Sequence, residues 1–410
     1  LSPLLPAGFY YKTFMWPASF WEKYEFFIRH SAGLGKSPSK PDPDIYDHKY
    51  YHCDVLVVGG GISGIMAAKL SAENNNETLL LDDKNTLGGA TIYQNNDCFQ
   101  IDGTHTNYWL ENEINKIKNI KNLTIKTRTS LAAYHGYNYL LAKENLTDHL
   151  SPDERKGKIR QRLWKIRAKK VIIATGSIER PLIFNNNDRP GIMLSSAIKK
   201  FIDFYGVKAG KEIRLFTNND SAYETAISLK KSGVNIVSII DIRDKSSSKI
   251  VKEVEKHNIK IYWKHTIVNT EGYRRISFIE IMKLSDDGSG VIGKKIKLKT
   301  DCLGISGGWT PMVHLFTQSG GKLKFRSDDN VFLPDKNKTP SDQISIGSCN
   351  GDFDIKDIIL NSNKDVKTFL GIENSPFDNL KVESSKEEKK RNIWLLPSDK
   401  PIGKTKPFLD

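Results

Sequence analysis

The stretch "DVLVVGGGISGIMAAKLSAENNNETLLLDD" at residues 54–83 decides the fold. It reads as a buried strand, a helix and a second strand, which is the pattern of a βαβ unit. The turn after the first strand carries Gly59, Gly61 and Gly64 with the spacing G-x-G-x-x-G. In that context Gly59 makes the tight turn, Gly61 lets the backbone approach a pyrophosphate, and Gly64 lets the helix pack closely on the strand. The free N–H groups at the helix N-terminus would then meet the phosphate charge.

Asp82 ends the second strand and indicates which nucleotide the unit holds. A carboxylate at this point accepts hydrogen bonds from the ribose hydroxyls of adenosine and would repel a 2′-phosphate. Lys84 is an alternative partner for such a phosphate, but a surface lysine is the simpler interpretation, so we expect NAD or FAD rather than NADP. Thr91 is placed to reach the pyrophosphate, and Leu131 lies where this fold reads adenine with backbone groups. The residues expected around the nucleotide, besides the three glycines, are Ser63, Asp82, Asp83, Lys84, Thr91 and Leu131.

Two further motifs extend the pattern beyond one βαβ unit. Gly88 and Gly89 follow the acidic strand end, and "IIATGS" at residues 172–177 is a strand that leads into a tight turn. Residues 122–145 and 157–176 alternate at period two, which predicts the hairpins of a small antiparallel sheet. A second βαβ pattern covers about residues 211–265. The fold class is therefore α/β, with a Rossmann-like dinucleotide-binding domain and a nested second βαβ domain, and it resembles flavoproteins of the glutathione-reductase type.

The predicted domains follow this order of elements. They are an N-terminal arm or remnant of a preceding domain (1–50), the first part of the dinucleotide-binding domain (51–190), a second, degenerate domain (191–300), the returning part of the first domain (301–365) and a linker toward a missing C-terminal domain (366–410). The arm is dense in aromatic residues, and Trp21, Tyr24 and Ile28 fall on one face of a predicted helix that starts after Pro17. We expect the arm to dock on the core. An interfacial membrane helix is the alternative, which Glu22 and Glu25 disfavour.

The stretch "ISIGSCNG" at residues 344–351 departs from the flavin-binding pattern. Flavoproteins of this fold place Gly-Asp after the corresponding strand, and the aspartate binds the ribityl chain of FAD. Here Gly347 is followed by Ser348. Both residues join the predicted cofactor site, and the missing acid favours NAD over FAD in it.

The second βαβ unit departs from the pattern at its own loop. In "RLFTNNDSAYETA", residues 214–226, the turn after the strand contains no glycine. Side chains at Asn218, Asn219 and Asp220 would occupy the space of a pyrophosphate, and Asp220 adds like charge. Asn and Asp also favour turns and helix N-caps, so the loop has a structural role without a ligand. We expect this second site not to bind nucleotide.

Composition excludes several other classes of protein. The chain has 410 residues and a net charge of +14, but its lysines are spread along the sequence and no common nucleic-acid motif is present. The sequence has no apolar run of the about 20 residues that a membrane helix needs.

The four cysteines, Cys53, Cys98, Cys302 and Cys349, have no metal-ligand or dithiol spacing, which predicts free thiols in a reducing cytoplasm and no metal site. The start at Leu1 and the end without a terminal signal suggest a piece of a longer polypeptide.

Four stretches carry a resemblance to a known family. They are "PAGFYYKTFMWP" with "FWEKYEFFIRHSAGLGK", "ATGSIERPLIFNNNDRPGIML", "FTNNDSAYETA" and "ISGGWTPMVHLFTQSGGKL". Together they resemble the α subunit of heterotetrameric sarcosine oxidase, and the resemblance extends over most of the chain.

This resemblance implies an oxidoreductase subunit acting on the CH–NH group of donors. The complex demethylates sarcosine to glycine oxidatively, passes the one-carbon unit to tetrahydrofolate and reduces O2 to H2O2. The α subunit holds NAD, whereas FAD and covalent FMN belong to the β subunit or its interface. The implied partners are β, γ and δ-type subunits, and tetrahydrofolate through a C-terminal domain absent from these residues. No catalytic residue is expected in this chain.

Three alternatives remain open at this point. One is the α subunit of an opine, proline or related amino-acid dehydrogenase, which commonly carries a cysteine-rich iron–sulfur segment that does not follow Cys349. Another is an independent FAD- and NAD(P)H-dependent oxidoreductase, which would need a second glycine loop and the Gly-Asp flavin motif. A scaffold without nucleotide is the third, and the intact first loop with Asp82 disfavours it. His105, His265 and His314 are isolated and belong to no catalytic or metal-ligand pattern.

Overall fold

The elements of the fold are taken from a computed structural model, which describes residues 17–31, 33, 39–93, 99–340, 342–383 and 391–408. The helices in chain order are α1 (Trp21–Ser31), α2 (Ile62–Glu73), α3 (Thr106–Ile117), α4 (Pro152–Arg155), α5 (Ser195–Asp203), α6 (Ser221–Lys231), α7 (Lys249–Lys256), α8 (His314–Gln318) and α9 (Ile355–Leu370). Short 3₁₀ turns lie at Ala18–Phe20, Thr91–Tyr93, Lys336–Lys338, Gly347–Asn350 and Ile402–Lys404.

The strands form two larger sheets and several small ones. In chain order they are β1 (Ile45–Val58), β2 (Thr78–Leu81), β3 (Gln100–Ile101), β4 (Thr104–His105), β5 (Leu123–Lys126), β6 (Thr129–His135), β7 (Tyr139–Asn145), β8 (Ile159–Ile173), β9 (Ser177–Glu179), β10 (Ile192–Leu194), β11 (Ile213–Thr217), β12 (Ile236–Asp241), β13 (Lys260–Trp263), β14 (His265–Glu271), β15 (Phe278–Leu284), β16 (Val291–Lys299), β17 (Cys302–Ser306), β18 (Trp309–Pro311), β19 (Leu323–Arg326), β20 (Val331–Pro334), β21 (Gln343–Ser345) and β22 (Val382–Glu383).

The first sheet confirms the predicted α/β class. Strands β5, β2, β1, β8 and β21 pair in parallel in that order, with Val55 opposite Thr78 on one side and Lys170 on the other. The N-terminal half of β8 also pairs with β7, and β7 with β6, as the predicted antiparallel hairpins. Helix α2 is buried over nearly its whole length between this sheet and helices α3 and α9. Because α2 is buried on nearly all sides, its N-terminal end and the glycine loop lie against the sheet.

The second sheet has the order β10, β17, β11, β12 and β13, all parallel. The predicted boundary at residue 300 is wrong, because β17 begins at Cys302 and pairs with β10 and β11 of the second unit. The sequence misleads here because a short apolar strand that ends in glycines suits either sheet. An antiparallel sheet of β14, β15 and β16 completes the second unit.

The prediction that residues 391–408 belong to a linker is also wrong. Leu396 is 6% exposed and belongs to the core of the second unit. Isolated bridges join Ile183 to Leu395 and Asn185 to Pro407. Proline and lysine are typical of linkers, but here backbone hydrogen bonds hold the segment against residues 183–187.

The N-terminal arm differs from expectation as well. Helix α1 forms as predicted, but none of its residues is buried, so the expected docking on the core is not found for residues 17–31. The aromatic residues before residue 17, as well as Cys98, lie outside the described residues. Among the described residues there is no helix of the length and apolarity that crossing a membrane requires.

Candidate functional site

The glycine loop is closed toward the protein and open toward a cleft. A Cβ on Gly64 would lie 1.8 Å from the carbonyl oxygen of Gly59, and one on Gly59, where φ is +106°, would lie 2.3 Å from the carbonyl oxygen of Ala174. By contrast, a Cβ on Gly61 would meet no atom within 4 Å. Gly61 is the N-cap of α2 and has no side chain to cap the helix, so the first N–H groups of the helix face the cleft. This arrangement is a cradle for an anionic group.

Asp82 holds the loop from the next strand. Its Oδ2 accepts the N–H of Gly60 at 2.5 Å, and its Oδ1 accepts the N–H of Lys84 at 2.8 Å. Burial raises the pKa of the Asp82 carboxyl, and the two backbone N–H groups oppose this effect. Each carboxylate oxygen can accept a second hydrogen bond, so Asp82 can still accept one from a hydroxyl group of a ligand. Lys84 pairs with the exposed Asp83 at 2.6 Å.

The double glycine brings a second loop against the first. The N–H of Gly88 donates to the carbonyl oxygen of Gly60 at 2.7 Å. A Cβ on Gly89 would lie 3.0 Å from the Cα of Gly61. Thr91 follows this contact and is 8% exposed at the wall of the cleft. The two glycines therefore bring Thr91 to the same cleft wall as the glycine loop.

The opposite wall comes from the returning part of the first unit. The hydroxyl of Ser362 in α9 donates to the Oγ of Ser63 in α2 at 3.0 Å, and a Cβ on Gly347 would lie 2.4 Å from that same Oγ. Ser348 follows Gly347 and lines the cleft. The turn that carries the flavin-binding acid in flavoproteins thus sits directly against the glycine-loop helix and presents a hydroxyl.

The cleft has a volume of about 1810 Å³ and collects most of the predicted site residues. The predicted residues on its wall are Gly59, Gly61, Ser63, Asp82, Asp83, Lys84, Thr91, Leu131 and Ser348. Gly64 and Gly347 are not on the wall and act behind it, as close contacts between the loop and its supports. The uncapped helix N–H groups and the hydroxyls as donors, with the buried carboxylate of Asp82 as acceptor, suit a dinucleotide.

Several cleft residues escape prediction from the sequence. Lys199 of α5 and Glu224 of α6 pair at 3.0 Å and line the cleft from the second unit. Glu179 is 4% exposed, and its carboxylate accepts the N–H of Ser196 at the start of α5 at 2.8 Å. Burial raises the pKa of Glu179. Only the packing of the two units brings these residues to the site, so no local motif marks them.

Asp352 is a missed residue that the sequence does mark. It forms a Gly-Asp pair with Gly351, a few positions beyond the turn at Gly347. Asp352 lines the cleft and accepts a hydrogen bond from the amide of Asn361 at 2.8 Å. Burial raises the pKa of its carboxyl. A search for Gly-Asp that allows a shift along the chain would find it.

The second loop is filled by its own side chains. Asn218 and Asn219 are fully buried, and the amide of Asn219 donates to the carbonyl oxygen of Ser306 at 3.1 Å. Asn219 Oδ1 accepts the N–H of Ser221 at 2.9 Å, which is the turn role expected of asparagine. Asp220 stands at the N-cap of α6 but makes no side-chain cap hydrogen bond.

Asp220 instead takes part in a buried charge cluster. Nη2 of Arg243 lies 2.8 Å from Asp220 Oδ1 and 2.8 Å from Asp241 Oδ2. The hydroxyl of Tyr223 donates to Asp241 at 2.8 Å. Two carboxylates therefore surround one guanidinium at the end of β12, a charge balance that does not attract a phosphate.

The comparisons with known proteins agree with this geometry. The family model described as pyridine nucleotide-disulphide oxidoreductase matches residues 53–356. The chain is 34% identical over 340 residues to sarcosine oxidase subunit alpha of Rhizobium meliloti (strain 1021). The matched region is 81% of this chain and 32% of that relative. It is 35% identical over 324 residues to sarcosine oxidase subunit alpha of Corynebacterium sp. (strain P-1), and this matched region is 78% of this chain and 33% of that relative.

The solved structures show the same fold. L-proline dehydrogenase from P. horikoshii superposes with a TM-score of 0.58 and 19% identity over 86% of this chain and 63% of that one. The chain spans about a third of the length of the curated relatives it matches.

Proposed function

Because the chain belongs to the pyridine nucleotide-disulphide oxidoreductase family, we propose that its first βαβ unit holds NAD as part of an α-type subunit of a sarcosine-oxidising complex. The similarity to the two sarcosine oxidase alpha subunits supports this choice of complex. In the reaction, sarcosine, O2 and tetrahydrofolate give glycine, H2O2 and methylenetetrahydrofolate. This chain contributes the nucleotide-holding scaffold, and the oxidation belongs to a flavin-carrying partner subunit.

The observation that carries the proposal is the pairing of an intact glycine loop with Ser348. The open face at Gly61 and the buried carboxylate of Asp82 suit an adenosine dinucleotide without a 2′-phosphate. At the turn after β21, Ser348 offers a hydroxyl where a flavoprotein offers an acid. NAD satisfies both halves of the site, whereas FAD would meet the Ser348 hydroxyl instead of a carboxylate at this turn.

In this proposal the adenosine half lies among Ser63, Asp82, Asp83 and Lys84. The pyrophosphate lies against Thr91 and the loop glycines, and the adenine lies against Leu131. Bound NAD would supply a nicotinamide ring able to accept or donate hydride. The residues of this chain orient the dinucleotide and exclude water from its pyrophosphate. The β, γ and δ-type subunits, and tetrahydrofolate through a further domain, complete the proposed assembly.

Nucleotide extraction tests the proposal. Purified 410-residue chain is denatured, and the supernatant is analysed by liquid chromatography and absorbance. We expect about one NAD per chain and little flavin. Stoichiometric FAD in the extract would overturn the assignment of the first site.

An amino-acid dehydrogenase subunit is the alternative within the same fold, but the two relatives that match 81% and 78% of this chain are sarcosine oxidase alpha subunits. A stand-alone reductase would need a second nucleotide site, and side chains fill that loop. Steady consumption of NADH by the isolated chain with a dye acceptor would favour the reductase.

A further inference from the structure

Residues 391–396, which we name the strap, lie against the carboxyl ends of three strands of the second unit. In open α/β sheets, ligands bind in the crevice at the carboxyl ends of the strands, near the point where strand order reverses. Strands β17, β11 and β12 are neighbours in the second sheet. The residues that directly follow them are Gly307, Asn218 and Ile242. The strap contacts all three.

Each contact uses a polar group at a strand end. The side-chain amide of Asn218 donates to the carbonyl oxygen of Arg391 at 3.1 Å. Nη1 of Arg391 donates to the carbonyl oxygen of Ile242 at 3.0 Å. Nε1 of Trp394 donates to the carbonyl oxygen of Gly307 at 2.6 Å. These groups would otherwise be available to a nucleotide in the crevice.

The strap is also fixed along its length. Two backbone hydrogen bonds join the strap to Ile183. The N–H of Ile183 donates to the carbonyl oxygen of Trp394 at 2.8 Å, and the N–H of Leu396 donates to the carbonyl oxygen of Ile183 at 2.8 Å. The guanidinium of Arg180 lies 4.2 Å from the ring centroid of Trp394, a distance typical of a cation–π contact. Leu396 is buried in the core of the second unit.

The strap also reaches the first cleft. The amide of Asn392 donates to the carbonyl oxygen of Asp328 at 2.9 Å, and both residues line that cleft. Asp328 lies in the turn between β19 and β20. The strap therefore connects the second crevice with the wall of the first site.

We propose that the strap is an intramolecular occupant of the second crevice, which excludes a pyridine nucleotide from this unit and limits the chain to one nucleotide. The strap satisfies the polar groups at three strand ends. The cluster beside them has two carboxylates, Asp220 and Asp241, to the one guanidinium of Arg243, so it offers no net positive charge to a phosphate. The second unit thereby keeps its fold without a ligand. The proposal does not depend on which nucleotide the first site holds.

Amide hydrogen exchange of the 410-residue chain tests the seating of the strap. The variant Arg391→Ala/Trp394→Ala removes both side-chain anchors. We expect the amides of Ile183 and Leu396 to exchange about tenfold faster than in the wild type, since the side-chain hydrogen bonds of Arg391 to Ile242 and Asp286 and that of Trp394 to Gly307 are lost. The matched control is Leu395→Ala, on the same segment but with a side chain that is 49% exposed. Its exchange should stay within about twofold of the wild type.

If the double variant does not fold, the single variant Arg391→Ala replaces it in the exchange experiment. Unchanged amide protection at residues 62–73 would show that the first unit is intact in either variant. Equal exchange in the anchor variants and the control would overturn the proposal. A second readout adds NADPH to the wild type, and we expect no new protection at Asn218 or Ile242. Protection there would show that the crevice admits a nucleotide, and the strap would not be its occupant.

Discussion

The carboxylate of Asp82 joins the glycine loop to the strand beside it, through the N–H groups of Gly60 and Lys84. An asparagine at this position offers one oxygen and one N–H₂ group, so one backbone N–H loses its acceptor. We expect Asp82→Asn to retain about tenfold less nucleotide and to lose about 1–2 kcal/mol of unfolding free energy. Extraction with chromatography and urea unfolding measure the two effects.

The control for this variant is Asp153→Asn, which makes the same chemical change at an exposed residue of α4. It should keep the nucleotide content of the wild type. Equal nucleotide content in Asp82→Asn and the control would show that Asp82 does not organise the site.

Three described cysteines are buried thiols. Burial raises the pKa of Cys53 to about 12 and that of Cys302 to about 11, and it raises the pKa of Cys349 as well. Because the thiolate is the reactive form, these groups should not react with a thiol reagent at pH 8 in the folded Cys98→Ser variant. The same protein in denaturant should react at all three positions, which a colorimetric thiol assay measures.

The raised pKa values also set a pH dependence. In the unfolded chain the thiols ionise near pH 8.5, whereas in the folded chain they stay protonated to higher pH. Their stabilisation is complete below about pH 8 and declines above it, by roughly 1.4 kcal/mol per pH unit for each thiol. Urea unfolding at pH 8 and pH 10 checks the direction, and a Cys53→Ala variant should show a smaller decline.

Helix α2 is fixed to α3 by a buried ion pair. Lys69 Nζ lies 2.7 Å from Glu113 Oε2, and the side chains are 8% and 5% exposed. Glu113→Gln leaves the buried ammonium without a counter-charge and should reduce the unfolding free energy by about 3 kcal/mol. The double variant Lys69→Met/Glu113→Leu should lie close to the wild type, because neither charge is then buried.

Urea unfolding measures these variants, with Glu111→Gln on the exposed face of α3 as the control. If Glu113→Gln matches this control, the pair does not hold α2. Nucleotide content of the same variants would show whether the helix position matters to the loop.

The elements that the sequence predicts well are those whose signals are local. Gly59, Gly61 and Gly64 follow a buried strand and open a helix, so their spacing together with this local context places the loop. The period of two in β6 and β7 predicts their hairpin for the same reason. Cys302–Ser306 has no such signal, because its partner strands lie far away in the sequence. The strap is missed because Arg391 and Trp394 meet backbone carbonyls that no residue type marks.

The candidate site divides in the same way. Asp82 and Ser348 are found by position relative to strand ends, which the chain carries locally. Lys199 and Glu224 reach the cleft only through the packing of one unit against the other. Sequence therefore predicts only the part of the cleft that the first unit forms, which is the part proposed to hold the adenosine.

At the scale of the whole molecule, α1 presents an unburied aromatic surface. Phe20, Trp21, Phe26 and Phe27 are between 42% and 68% exposed, and none of the residues of α1 is buried. Several exposed aromatic rings on one short segment are typical of an interface, because aromatic residues contribute most of the energy at interfaces. We expect the chain alone to self-associate despite its net charge of +14, and coexpression with a flavin-carrying β-type subunit to keep it dispersed.

Size-exclusion chromatography with light scattering measures the mass directly. The variant Phe26→Ser/Phe27→Ser removes the two most exposed rings of α1 and should shift the chain toward monomer. The matched control, Tyr137→Ser/Tyr273→Ser, changes two rings that are 96% and 92% exposed but lie far apart in the sequence. Single exposed aromatic residues are ordinary on protein surfaces, so the control should associate like the wild type. A wild-type chain that is monomeric at all concentrations would contradict this prediction, because the aromatic surface of α1 would then not drive self-association.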